Sequence, residues 1–319
     1  MTPTHDAVVV GGGAAGLTAA LWLGRYRRRT LVIDGGEQRN LSARASHGYL
    51  TRDGGSPAEF LDAARGDLDR YPTIEIVSGS VAGARRAGAA FELTTATQRY
   101  VTQRVLFATG VRDVWPEIPG FESLYGRAIF HCSCCDGYEA RDESVLAIGW
   151  GEHVSGYALD LLEWGARVTL VTDGRPFEGD DASSVALRKH DVEILEDPVE
   201  EFLVEGESMA GARLRSGRTL RATKAFFSIA HEPRHDLPRA LGCTLDEGGY
   251  VTVDDHGQTS VEGVYAAGDI TPGEQLVQAA AAEGAIAGID CAVSLRGGRT
   301  APGAPEPGPD PTAQIDHHP

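Results

Sequence analysis

One pattern restricts this chain more than any other. A short apolar run, Asp6-Ala7-Val8-Val9-Val10, leads directly into Gly11-Gly12-Gly13-Ala14-Ala15-Gly16. Helical spacing follows from Leu17 to Leu23, and a second apolar run, Thr30 to Ile33, ends on Asp34. Strand, Gly-x-Gly-x-x-Gly turn, helix, strand and terminal acid, with 23 residues from Gly11 to Asp34, make a dinucleotide-binding βαβ fingerprint. The glycines let the backbone turn tightly and approach a pyrophosphate. The helix N-terminus then binds that pyrophosphate, and Asp34 accepts from the adenosine ribose hydroxyls. A glycine-rich turn without a ligand would leave the flanking strands, helix and acid unexplained.

The pattern returns about 138 residues later. Val145 to Ile148 is a strand, Gly149-Trp150-Gly151-Glu152-His153-Val154 the turn, 154–164 a helix and Arg167 to Val171 the next strand. The fold class is therefore α/β with two Rossmann-like dinucleotide-binding domains. Between the two patterns, 56–71 reads as a helix and 74–107 alternates as strands do, closing on Val105 to Gly110. Trp115-Pro116 and Ile118-Pro119-Gly120 form a rigid connector and a domain boundary. Short strands are expected at 192–195, 202–204, 212–214 and 225–229. A last strand runs into Ala266-Ala267-Gly268-Asp269, followed by an Ala-rich helix over about 276–295. Residues 298–319, rich in Pro and Gly, hold too little apolar content to pack and read as a disordered tail; its His317-His318 is too short a tract for metal binding.

The 319 residues allow two domains, and a net charge of −17 without a basic stripe excludes nucleic acid and anionic membranes as partners. No run reaches the length of a membrane span, and Gly11 to Gly16 break the apolar N-terminal stretch, which argues against a signal peptide. A cytoplasmic location follows as the expectation.

Three of the five cysteines lie in His131-Cys132-Ser133-Cys134-Cys135-Asp136-Gly137-Tyr138-Glu139. Cys132 and Cys135 have Cys-x-x-Cys spacing, which suits one turn at a helix start, where free N–H groups and the helix dipole favour thiolate. By itself the spacing leaves redox and metal chemistry open. A zinc site needs four ligands, and Cys243 and Cys291 are single and distant, so no metal is expected. Cys134 is an extra thiol, either an apolar filler or a spare nucleophile. A histidine at 131 can lower the Cys132 pKa, or it can be a surface residue.

With both glycine turns, Ala108-Thr109-Gly110, the Cys-x-x-Cys-Asp-Gly loop and Ala267-Gly268-Asp269 in view, residues 5–296 resemble the low-molecular-weight thioredoxin reductase family. The resemblance implies a homodimer and a discontinuous FAD domain, 1–115 with 238–297. A pyridine-nucleotide-type domain, 116–237, would be inserted in it, each domain a three-layer ββα unit. It implies that Gly11, Gly13, Gly16 and Asp34 hold the ADP half of FAD. Asp269 would bind the ribityl or pyrophosphate region, and Gln278 would lie near the isoalloxazine. Ala14, Ala15, Gly35, Arg39, Asn40, His47, Thr109, Gly110 and Gly268 complete the implied cofactor set. Cys135 would face the flavin, Cys132 would exchange with the thiol or disulfide substrate, and Asp136 would act as acid/base.

The departures are informative. Where the reductases carry His-Arg-Arg for the NADPH 2′-phosphate, this chain has Thr172-Asp173-Gly174, and a later arginine position is Glu178. Carboxylates facing a phosphate dianion repel it. Asp173 would suit the free 2′-hydroxyl of NADH. Trp150 and Val154 crowd the turn itself, so NAD(P)H is doubtful on this sequence. The alternative is that Arg175 substitutes for the missing cations by a shift of register. The gliotoxin- and holomycin-type FAD-dependent dithiol oxidases look similar, through Asp34-Gly35-Gly36-Glu37-x-Arg39-Asn40, His47 to Gly54 and Gly137-Tyr138-Glu139. The leading expectation is thus a dithiol oxidase that closes a disulfide in a small-molecule dithiol with O2 as acceptor. The alternatives are an NAD(P)H-dependent reductase of a thioredoxin-like protein and a non-catalytic flavoprotein redox sensor.

Overall fold

The computed structural model describes residues 4–228 and 230–296. The tail expected over 298–319, its His317-His318 pair and Ile229 lie outside the described residues. Two compact units form, one from 4–36, 67–109 and 235–296, the other from 37–66 and 110–234. Compactness thus groups 37–66 with the cysteine-bearing segment.

The first unit is built on a sheet ordered Ile74–Ser78, Thr30–Asp34, His5–Val10, Arg99–Phe107, Ala90–Thr95, Val81–Ala87. The first four strands run parallel, and the last two join antiparallel. Val264–Ala266 pairs in parallel with the end of Arg99–Phe107. Val8, Val9 and Val10 are all buried, as a strand covered on both faces requires. One face packs Val8, Val10, Leu31, Ile33, Phe91 and Phe107 into a core with Val264 and Ile270. Helix Ala14–Arg25 lies against the final helix, Val277–Ser294. A Cβ at Gly284 would fall 2.1 Å from the Ala15 carbonyl oxygen, so only glycine permits this approach. Arg28 donates to the Ala292 carbonyl and Arg104 to the Ser294 carbonyl, placing two cations at the negative end of that helix.

The second unit has a five-stranded parallel sheet, ordered Glu193–Leu195, Arg167–Val171, Ser144–Ile148, Lys224–Phe227, Ile129–Phe130. Successive residues face opposite sides. Phe227 joins Phe121, Leu124, Ile148 and Phe202 on one face, while Phe226 joins Phe130, Val154, Ala158 and Leu161 on the other. A three-stranded antiparallel meander, Val199–Glu205, Ser208–Leu214 and Thr219–Arg221, covers the first face. Val111–Val114 pairs with Ala230–Pro233 as a two-stranded ribbon. The helix expected over 154–164 is α-helical over Val154–Asp160 and tightens to a 3-10 turn at Leu161–Glu163. No helix among the described residues is long and apolar enough to cross a membrane.

Candidate active site

In the first unit the glycine turn is a tight cradle. Gly11 takes φ +114°, and its N–H donates to the Ile33 carbonyl at 2.9 Å. A Cβ at Gly11 would lie 2.1 Å from the Ala108 carbonyl oxygen, and one at Gly12 2.2 Å from the Asp34 carboxyl carbon. Gly13 caps helix Ala14–Arg25 with extended backbone and no side-chain hydrogen bond. No acid stands in the first turn, so the start of a 12-residue helix is left uncapped by its own side chain. Asp34 is buried and accepts from the Gly36 N–H at 2.9 Å. Gly268 faces the same helix start: its added Cβ would meet the Ala15 Cβ at 2.8 Å. Its N–H donates to Glu283 at 2.7 Å, and Thr271 donates to the same carboxylate at 3.0 Å. Gln278 stands in the first turn of the final helix. A turn without room for side chains, an open helix N-terminus and a buried acid fit the ADP half of a flavin dinucleotide.

In the second unit Cys132 is the N-cap of the short helix Ser133–Asp136. It is disulfide-bonded to Cys135, with a Cα–Cα distance of 5.2 Å. The Cys135 N–H donates to the Cys132 Sγ at 3.1 Å. Cys134 is an exposed free thiol whose Sγ lies 3.5 Å from that of Cys132. Cys243 and Cys291 are buried, and burial pushes both thiols up, Cys291 to about 12. They are inert packing groups.

Two charged clusters flank the disulfide. On the His131 side, Arg39 grips Asp113 through two contacts, at 3.0 and 2.6 Å, both side chains being largely buried. The Tyr125 hydroxyl donates to Asp113 at 3.1 Å and meets His131 Nδ1 at 2.7 Å. Tyr157 donates to the His131 carbonyl at 3.0 Å. Burial, then the nearby Arg39, lowers His131 to about 4, so the imidazole is neutral at ordinary pH. It therefore exerts no cationic pull on Cys132, one of the two roles open to it on sequence. Burial and Asp113 push the Tyr125 hydroxyl up, and burial does the same to Tyr157.

On the other side, burial raises Asp136 to about 6; the carboxylate of Glu139 adds to this, while His47 and Lys224 oppose it. His47 Nδ1 lies 3.6 Å from Glu139 and 3.7 Å from Asp53. It is carried on a loop closed by the bridge Ser46–Gly55 and by the Gly48 N–H donating to Asp53 at 2.8 Å. Asn40 donates to Ser46 at 3.5 Å.

The expected site residues thus fall into two groups. Gly11, Gly13, Ala14, Ala15, Gly16, Asp34, Gly35, Thr109, Gly268, Asp269 and Gln278 belong to the first unit, and Arg39, Asn40, His47, Gly110, Cys132, Cys135 and Asp136 to the second. Asp113, Tyr125, Tyr157 and Glu283 carry no sequence motif and emerge only from the fold.

Around the second glycine turn the side chains contact one another. The Arg175 guanidinium sits 3.6 Å from the centroid of a Trp150 ring, which packs edge-on against Phe227. His153 bonds Ser228 at 2.8 Å. Asp173 accepts from the Val199 N–H at 2.8 Å.

Two dinucleotide folds, one carrying a cysteine-pair disulfide at a helix start beside a titrating carboxyl, define a flavin-dependent thiol/disulfide oxidoreductase. The family model described as pyridine nucleotide-disulphide oxidoreductase matches residues 5–284, and the chain belongs to that family. It is an FAD-dependent enzyme acting on sulfur groups. "Thioredoxin reductase tcpT" of Claviceps purpurea is 34% identical over 286 residues, covering 83% of this chain and 86% of that protein. "Thioredoxin reductase sirT" of Leptosphaeria maculans is 31% identical over 299 residues, covering 86% and 89%. Among solved structures, HlmI is 32% identical with a TM-score of 0.86, covering 91% of this chain and 92% of its own. The relatives include gliotoxin- and holomycin-type members of the family and also the thioredoxin reductase of Treponema pallidum, 30% identical over 282 residues and covering 85% of this chain and 90% of that protein.

Proposed function

We propose that this protein is a dithiol oxidase that forms an intramolecular disulfide in a small-molecule dithiol. The observation that carries the reading is the second glycine turn, where the Arg175 guanidinium stacks on Trp150, His153 bonds Ser228 and Asp173 accepts from the Val199 N–H, so the cation and the acid nearest the turn are engaged within the chain. Electrons then enter from thiols. A substrate thiolate attacks Cys132 Sγ, the Cys132–Cys135 bond breaks, and a mixed disulfide forms as Cys135 leaves as thiolate. The second substrate thiol attacks the substrate sulfur of that mixed disulfide and leaves with it as a cyclic disulfide, freeing Cys132. The Cys135 N–H, on Cys132 Sγ in the closed form, stabilises charge there when the pair opens. Asp136, one residue from Cys135, takes the thiol proton in its carboxylate form. Arg39 and Asp113 hold Tyr125 against the His131 ring, and Tyr157 holds the His131 carbonyl, on the segment that leads into Cys132. When bound, a flavin would supply two-electron acceptor chemistry for the cysteine pair, with dioxygen as the final acceptor, giving hydrogen peroxide. The Gly11–Gly16 turn, Asp34, Gly268 and Gln278 would hold the flavin. A homodimer in the cytoplasm completes the reading.

Anaerobic mixing tests it. Dithiothreitol is expected to bleach the flavin rapidly, while NADPH and NADH leave it oxidised. Rapid bleaching by a nicotinamide and none by the dithiol would make the enzyme a reductase of a thioredoxin-like protein, the activity that the names of tcpT and sirT carry.

A further inference from the structure

Cys134 is the thiol that the disulfide cycle leaves unused. It lies between the paired cysteines in sequence and is exposed, whereas Cys132 and Cys135 are half-buried. Its Sγ is 3.5 Å from the Cys132 Sγ, which puts a free thiol in van der Waals contact with one end of the disulfide. The three sulfurs all lie within 4.8 Å of one another. Thiol–disulfide exchange needs a thiolate and access to a disulfide sulfur, and this loop holds both. Attack by Cys134 on Cys135 would close a ring between adjacent residues, which is strained, so Cys132 is the sulfur open to it. A disulfide spanning one intervening residue, with one sulfur exposed, belongs to the labile kind. The exchanged form is therefore a minor and reactive partner of the Cys132–Cys135 form.

We propose that Cys134 is a third catalytic cysteine, which carries the disulfide outward to peptide dithiols too bulky to reach Cys132. The Cys134 thiolate attacks Cys132 Sγ. The Cys132–Cys134 bond forms, the Cys132–Cys135 bond breaks, and Cys135 leaves as thiolate. One disulfide replaces another, with no net change in oxidation state. The disulfide now ends on the exposed sulfur. A peptide thiolate attacks Cys134 Sγ and Cys132 leaves as thiolate; the Cys135 N–H, on that sulfur in the closed form, stabilises the charge. The peptide's second thiol attacks the peptide sulfur of this mixed disulfide, frees Cys134 and departs within the peptide's own disulfide. Two electrons have passed from the peptide to Cys132 and Cys135, and the two thiol protons pass to the released thiolates or to water. The enzyme is left with the same reduced pair that a small dithiol produces at Cys132 directly.

The inference rests on thiols reducing the Cys132–Cys135 pair, and dithiothreitol checks that reading separately. Failure of dithiothreitol to reduce the wild-type flavin would sink the oxidase reading, whatever Cys134 does. Two measurements address Cys134. In Cys135→Ser treated with diamide, Cys132 and Cys134 are expected to join, so that the intact mass falls by two hydrogens and neither of the two takes up N-ethylmaleimide. Labelling of both would overturn the proposal. Anaerobic stopped flow on the holoenzyme then compares dithiothreitol with a short lysine-bearing Cys-x-x-Cys peptide, the lysines sparing it the repulsion of an acidic chain. Cys134→Ser and Cys134→Ala are expected to keep flavin reduction by dithiothreitol within about twofold, and to slow reduction by the peptide roughly tenfold or more. Equal peptide rates with and without Cys134 would overturn the proposal. So would a matched loss with both dithiols, which would put Cys134 on the one path to Cys132.

Discussion

Asp136 and His131 bracket the disulfide, and burial moves them in opposite senses. Asp136 is raised to about 6 from an ordinary 3.8, so the folded state holds its proton more tightly than the unfolded chain does. Its favourable contribution is complete below about 3.8 and is lost as pH rises through 6. His131 is lowered to about 4 from 6.5, so the unfolded chain binds its proton more tightly. Its contribution is complete above 6.5 and is lost as pH falls toward 4. Each shift corresponds to about 3 kcal/mol at most, and between pH 4 and 6 the two nearly cancel. Asp136→Asn should therefore stabilise the protein at pH 8, raising the urea midpoint, while slowing anaerobic thiol oxidation there about 100-fold. The same variant should lose stability between pH 6 and 4, where wild type stays flat; a parallel pH profile for the two would refute this. Cys134→Ser should keep turnover within about twofold, since the disulfide joins the other two sulfurs, and a large loss would assign Cys134 to the exchange itself. The Cys132–Cys135 pair was legible because its spacing lies within four residues of sequence. Asp113 and Tyr125 were not, because no local spacing links positions 39, 113, 125 and 131; the sheet and its crossovers bring them together.

At the scale of elements, the glycine turns were the clearest signals and they mean different things. The first is a cradle closed by backbone. Gly11→Ala meets the Ala108 carbonyl at 2.1 Å in a left-handed conformation, so it should cost roughly 3 kcal/mol or more and lower the flavin-to-protein ratio of the purified enzyme. Gly36→Ala, with φ +76° and nothing within 4 Å, bears strain alone, about 1 kcal/mol. Equal losses of thermal midpoint in the two variants would show that close packing at Gly11 does not matter. The second turn kept its glycine spacing but gained Trp150, and sequence could report the crowding without saying what filled it. Arg175, weighed on sequence as a replacement phosphate ligand, instead stacks on Trp150. Helix Asp181–Lys189 has no clear sequence signal beyond Asp180, which caps it by accepting from the Ser183 N–H at 2.7 Å. Its Ser-Ser-Val centre has weak helix propensity and only Leu187 is buried, so neither propensity nor period announced it.

For the whole molecule, the net charge of −17 bears on substrate choice. A chain so acidic carries a net negative field, which slows encounter with anions and speeds encounter with cations. The reaction begins with a thiolate attacking a disulfide, so the reacting atom is itself negative. A further carboxylate on the substrate would add to that repulsion, and an ammonium would relieve it. At low ionic strength, an aminated analogue of dithiothreitol should therefore reduce the enzyme faster than dithiothreitol, and dimercaptosuccinate more slowly, by roughly tenfold at each step. Raising salt to about 0.15 M shortens the screening length to about 8 Å and should bring the three second-order rate constants together. Comparison at pH values matched to each thiol's own ionisation separates this from intrinsic nucleophilicity. Should the ordering persist unchanged at high salt, the discrimination would lie in direct contacts around Cys132, and the long-range field would have no part in it.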